Sequence, residues 1–262
     1  MYKKPITLII ILALSTWFWA VTKPWLYGSS LFAVAEAWIQ PLVGLLVLSS
    51  LVAMSFLLMR KSLERLGISL AVVLPFFLVF GFNYFFFIGV GLSLLVHLYA
   101  GKIIKDEEEQ RNVVNTHLIM RRGLPIVMMP LFIMISFGYY FSPKIQSQAA
   151  NKELPPTVNE VIERTVSTFL GDEIRELPEE ERESALNQLI TQVTNQFIEF
   201  VGPYFQFMPP ILAFGLFLVL EGLSFIFVWL TIPITMFWVW LAKRTGLAKI
   251  KIVQIEAEQL EF

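Results

Sequence analysis

Thirty-five consecutive residues, Gly67–Gly101, contain no charged side chain. As one helix at ~1.5 Å per residue they would reach about 52 Å, whereas the hydrocarbon core of a bilayer is about 30 Å thick. A single straight span cannot use them all, so the run must turn. Gly81-Phe82-Asn83-Tyr84 holds the residues suited to a turn, which predicts a hairpin of Ile68–Phe80 and Phe85–Ala100. Both arms are short for a crossing, and a re-entrant hairpin is the second reading. Further apolar runs lie at Ile6–Val21, Ile39–Met59, Leu124–Phe141 and Phe207–Ala242. A composition 56% hydrophobic and only 16% charged belongs to a chain whose solvent is lipid. The expected fold is therefore all-α, a polytopic helical membrane protein with about six transmembrane helices, and its first partner is the lipid bilayer.

One long segment cannot sit in lipid. Residues 142–206 carry a net charge of −6 while the remainder of the chain carries +5. The basic residues cluster at the ends of the apolar runs: Lys3 and Lys4, Arg60-Lys61 with Arg65, Lys102 and Lys105, Arg121-Arg122, then Lys243-Arg244, Lys249 and Lys251. Lysine and arginine mark cytoplasmic loops. The expectation is a multi-pass protein of the cell membrane with both termini cytoplasmic and a small helical domain, residues 142–206, on the opposite side.

Four regions follow. Residues 1–141 form an N-terminal membrane region with about five spans. Ile6–Val21 reads as an uncleaved signal anchor, because Trp17 and Trp19 are too bulky for a cleavage site. Trp25–Ala37 reads as an interfacial helix keeping Glu36 in water. Lys102–Arg122 reads as a helix projecting into the cytoplasm, with Glu107 four residues before Arg111 in the favourable order. Pro125 and Pro130 fall early in the next span, where few backbone donors are lost. Residues 207–242, interrupted by Pro209-Pro210, Glu221 and Pro233, are expected to cross once as a long kinked helix, with a hairpin as the other reading. The tail, 243–262, alternates Ile250, Ile252, Ile255 and Ala257 with polar residues, a strand-like period; it is read as disordered or as a strand added to a sheet of another chain.

The polar region punctuates itself. Pro155-Pro156 stops the preceding chain, Thr157 and Glu160 have the spacing of a capping box, and Gly171 suits a helix end. The apolar positions Val158, Val161, Ile162, Val166, Phe169 and Leu170 recur at helical spacing. A second helix starts at Pro178, places Glu179–Glu181 where the helix dipole favours negative charge, and presents Leu186, Leu189, Ile190, Val193, Phe197 and Ile198 before Gly202-Pro203 ends it. Two helices enclose little volume and hide such stripes only in part. Val158, Val161, Ile162, Phe169, Leu186, Leu189, Ile190, Val193 and Phe197 are therefore the candidate surface for a protein partner or a second copy, through residues 157–201.

Catalytic spacing is missing. There is no cysteine, and neither His97 nor His117 is followed by glutamate, so a histidine-based zinc motif cannot be written. Gly89-Val90-Gly91-Leu92-Ser93 lacks the last glycine of both the dinucleotide and the serine-hydrolase patterns, and suits close helix packing instead. The basic residues have no aromatic interleaving that would suit nucleic acid. No enzyme activity, cofactor or metal is expected. The sharpest single residue is Glu221, a carboxylate at membrane depth, where such groups face a cavity or a partner. His97 is its candidate partner from the hairpin, although Tyr99 and Lys102 place it toward the cytoplasmic edge. The leading expectation is an envelope scaffold or assembly component; a transporter or channel component using Glu221 is the alternative.

Overall fold

A computed structural model describes residues 3–28, 35–59, 61–110, 115–154, 156–170 and 179–246. Among these every regular element is helical: α1 Lys3–Tyr27, α2 Ala35–Leu58, α3 Ser62–Phe80, α4 Phe86–Glu109, α5 Thr116–Tyr140, α6 Pro143–Asn151, α7 Pro156–Leu170, α8 Glu179–Val201, a 3-10 segment Gly202–Phe207, α9 Met208–Gly222 and α10 Ser224–Arg244. The protein is an all-helical membrane protein. Seven stretches are long and apolar enough to cross a bilayer, the last two being Ser184–Gly222 and Ser224–Arg244. The expectation of about six and this count of seven differ only in how the chain on either side of Leu223 is divided.

The uncharged run folds as its composition requires. Gly81 turns with φ +88°, a left-handed conformation that costs glycine nothing. The Asn83 side chain accepts from the Phe85 amide at 3.0 Å and shapes the same turn. Both arms are longer than the apolar pattern suggested. α3 starts at Ser62 and α4 runs past Lys102 and Lys105 to Glu109, so each is long enough to span and no re-entrant loop is needed.

Lys102–Arg122 is not one projecting helix. α4 ends at Glu109 and α5 begins at Thr116, where the Asn115 side chain caps it by accepting from the Leu118 amide at 3.3 Å. The two helices then lie against each other along most of their length. The charged residues sit at the ends of two spans, where Glu107, almost fully buried, pairs with Arg122 across the helix interface. The expected pair of Glu107 with Arg111 falls on a residue outside the described ones. The same holds for the structure of 29–34, for Arg60, Pro155, Gly171 and Pro178, for the tail from 247, and for the side chains of Glu36 and Glu179–Glu183; the ends of the segment expected to be one interfacial helix belong instead to α1, through Tyr27, and to α2, from Ala35.

α5 is the central rod, touching α4, α2, α9 and α10. α1 joins through α3: the Val72 carbonyl, in the turn of α3 that Pro75 interrupts, accepts from Ser15 Oγ at 2.6 Å and Trp19 Nε1 at 3.0 Å. Buried polar side chains thus tie helices together through backbone carbonyls, whose second lone pair can accept beside the helical bond. Ser93 Oγ likewise donates to the Pro130 carbonyl of α5 at 3.1 Å. Glycines set the α4–α5 spacing, Gly89 against the Phe137 ring and Gly123 against Ile104.

These contacts fix which helix ends meet. Gly67 lies by Leu8, Arg65 donates to the Gly101 carbonyl, and Glu107 meets Arg122, so the starts of α1, α3 and α5 and the end of α4 share one end of the bundle. α10 runs toward the same end, its Phe227 ring meeting Phe132 of α5 partway along. The basic residues Lys61, Arg65, Lys102, Lys105, Arg121, Arg122, Lys243 and Arg244, dispersed in sequence, are thereby gathered at one end. At the other, Lys23 Nζ donates to the Val79 carbonyl at 2.7 Å, Phe86 stacks edge-on against Phe141, and α6–α8 emerge.

Candidate functional site

Two places answer to the residues singled out in the sequence: the helical pair α7 and α8, and the polar groups of the apolar helices. Ser142 opens the polar region, its Oγ accepting from the Ile145 amide at 3.3 Å with Pro143 beginning α6. Lys152, with φ 54°, closes α6 in a left-handed cap. α7 and α8 then pack on each other, and of their described side chains only Val166 is buried, at 5% exposure. Val158, Ile162, Leu186, Leu189 and Ile190 are half-buried, while Val161 at 58%, Val193 and Phe197 are exposed. The Phe169 side chain lies outside the described residues.

α8 ends at Val201, where Gly202-Pro203 is expected to end it, but the chain goes on as a 3-10 segment instead of a loop. Val201 (φ −85°, ψ −13°) and Phe207 (φ −92°, ψ −6°) keep right-handed backbone on either side of the 3-10 segment, so α8 leads into α9 without a loop. Proline is accepted in the first turn of a helical segment because that turn needs no amide donor. Phe205 is buried in this segment, which packs on α6. Phe200, at 78% exposure, then Tyr204 and Phe207 continue the apolar ridge of Phe197 downward to the exposed Ile211 and Phe214 of α9. Sequence reasoning missed Tyr204 and Phe207 by stopping at the glycine, and left Phe200 out of the stripe of the second helix. Their spacing of three and four from Phe197 was the available signal.

Glu221 lies one turn after Phe217 on α9, two residues before the break at Leu223. It is half-buried, and its Oε2 is shielded from solvent without a hydrogen-bond partner among the described residues. The break is a bend. Leu223 itself is right-handed (φ −87°, ψ −4°), its amide donates to the Val219 carbonyl at 3.0 Å, and its carbonyl accepts from the Phe227 amide at 3.3 Å. α9 and α10 touch each other little and lean on other helices, as two parts of a bent rod do.

His97 is not near an edge. Because α4 continues to Glu109, it falls midway along the helix and is fully buried. The Phe56 ring of α2 meets it edge-on, with centroids 6.0 Å apart. The backbone at Val127 of α5 lies beside it without a well-formed hydrogen bond, and both ring nitrogens lack a partner among the described residues. No ion pair or hydrogen bond joins His97 to Glu221, and α9 leans on α5 and not on α4. The described residues contain no group of three or more potential metal ligands.

Comparison with family models, curated proteins and solved structures found no match for this chain.

Proposed function

We propose that this membrane protein works as a non-enzymatic scaffold or assembly component whose outer helical pair, α7 and α8, docks a protein partner or a second copy. One observation carries the reading: of the described side chains in this pair, only Val166 is buried, and Val161, Val193, Phe197 and Phe200 are left facing outward. Exposed apolar side chains in such a row mark an interaction surface. Because α8 leads into α9 without a loop, whatever binds there is held at a set height above the membrane. The basic end of the bundle is the cytoplasmic one in this proposal, by the bias of lysine and arginine toward cytoplasmic loops, and the acidic pair lies outside.

The test is photocrosslinking in native membranes from a reactive residue placed in the full chain at Val161, Val193 or Phe200, with exposed Thr168 as control. Protein adducts are expected from the first three in excess of the control. Adducts to lipid alone, or equal protein adducts from all four, would refute the reading. A transporter reading draws on the unpartnered Oε2 of Glu221 beside the bend, since intramembrane carboxylates serve ion or substrate paths. It loses its basis when reconstituted protein shows no proton or ion flux and Glu221→Gln changes nothing.

A further inference from the structure

The bend at Leu223 opens a slot in the bundle. α10 lies against α2 and α5, while α9 leans on α5. Between the departing rod and α2, with α1 behind, is a cavity of about 360 Å³. Trp25 and Trp38 stand toward the outer ends of α1 and α2, Leu45 lies deeper, and Val219, Leu223 and Leu230 follow the rod. All its lining side chains are aliphatic, aromatic or proline, and the helices that form it are apolar enough to cross the membrane.

Shape decides what such a slot can hold. Val219 to Leu230 is 11 residues, about 17 Å along a helix at ~1.5 Å per residue. The space open to the centre of a water molecule then averages roughly 21 Å² in section, which with the ~1.4 Å radius of water makes a slot roughly 8 Å across, against ~10–12 Å for a helix with its side chains. No helix of a partner fits. Carbon atoms approach to ~4 Å, so one hydrocarbon chain is about 4–5 Å across and enters with room to flex. A polar solute would find no hydrogen-bond acceptor in the walls, and leaving the slot empty would forfeit the contacts of its lining.

We propose that this slot is a binding site for one acyl chain of a membrane lipid, entering from the outer end. Tryptophan favours the membrane interface, and Trp25 and Trp38 flank that end. The chain fills the gap that the bent rod leaves and supports the bend from the inside. Nothing in this proposal depends on the role given to α7 and α8.

The experiment uses the full-length protein in phosphatidylcholine vesicles carrying a photoreactive diazirine midway along one acyl chain, with adducts mapped by mass spectrometry. Leu45 and Leu220 line the slot and are covered from bulk lipid, so adducts on them report a chain inside it. Such adducts are expected, and Val219→Trp and Leu223→Trp, which fill the slot from its wall, should abolish them. Labelling of the exposed Phe225 and Trp229 should stay unchanged, which also shows that the variants are folded. Absence of adducts on Leu45 and Leu220, their persistence in both variants, or a crosslink there to protein would overturn the proposal.

Discussion

Gly123→Ala tests the α4–α5 contact on which the bundle rests. A Cβ on Gly123 would stand 2.4 Å from Ile104 Cγ1 and 2.9 Å from its Cδ1, where carbons prefer ~3.5–4.0 Å. Ile104 is fully buried and has nowhere to withdraw, so the helices must part. Overpacking of this kind costs about 1–3 kcal/mol, and an overlap of more than ~1 Å belongs in the upper half of that range. Alanine returns at most about 1 kcal/mol in helix propensity. The net loss should be roughly 1–2 kcal/mol. Gly215→Ala in α9 is the matched control, because nothing lies within 4 Å of the added carbon; it should be neutral or gain up to about 1 kcal/mol. Denaturant titration of the full-length protein in one detergent measures both. Ile104→Ala should cost about 2–5 kcal/mol alone, and the double variant should cost less than the sum of the two, since the clash is gone. If Gly123→Ala is as stable as Gly215→Ala, and the double variant is additive, the close approach of α4 and α5 is wrong.

Other outcomes follow from the same contacts. Arg122→Gln leaves the buried carboxylate of Glu107 without its cross-helix ion pair and should cost roughly 1–3 kcal/mol, less than a fully buried pair because Arg122 is largely exposed; the same titration reads it, and an unchanged midpoint would count against the latch. His97→Phe keeps a ring against Phe56 and removes two buried nitrogens without partners, so it should be neutral or stabilising by about 1–2 kcal/mol; a clear loss of stability would show that the imidazole has a partner. In this cysteine-free chain, Asn187→Cys and Lys243→Cys should react with an impermeant thiol reagent from opposite faces of sealed vesicles, and reaction of both from one face would end the proposed topology.

Several features are legible in the amino-acid sequence because they depend on local chemistry or on composition. A charge-free run longer than the bilayer must turn, and a glycine with a following asparagine marks where. The stripes of α7 and α8 follow helical spacing because each helix turns one side toward the other and leaves the opposite side polar. The extent of α4 is harder to see. Lys102 and Lys105 end the apolar run without ending the helix, since lysine is a good helix former and α5 lies alongside to receive it. That extension is what moves His97 from the expected edge to the middle of the bundle.

By itself the sequence determined the class of the protein, most of its apolar helices, the turn at Gly81, and the difference in charge between residues 142–206 and the remainder. Solvation imposes these on each segment independently. Only the tertiary structure decided that Ile104 meets Gly123, that a 3-10 turn carries the chain from α8 through Gly202-Pro203 into α9, and that a bend at Leu223 leaves an apolar slot too narrow for a helix. In lipid, a face turned to a neighbouring helix and a face turned to the bilayer are equally apolar. Periodicity therefore cannot tell them apart, and the choice of neighbour falls to the fit between side chains far apart in the chain.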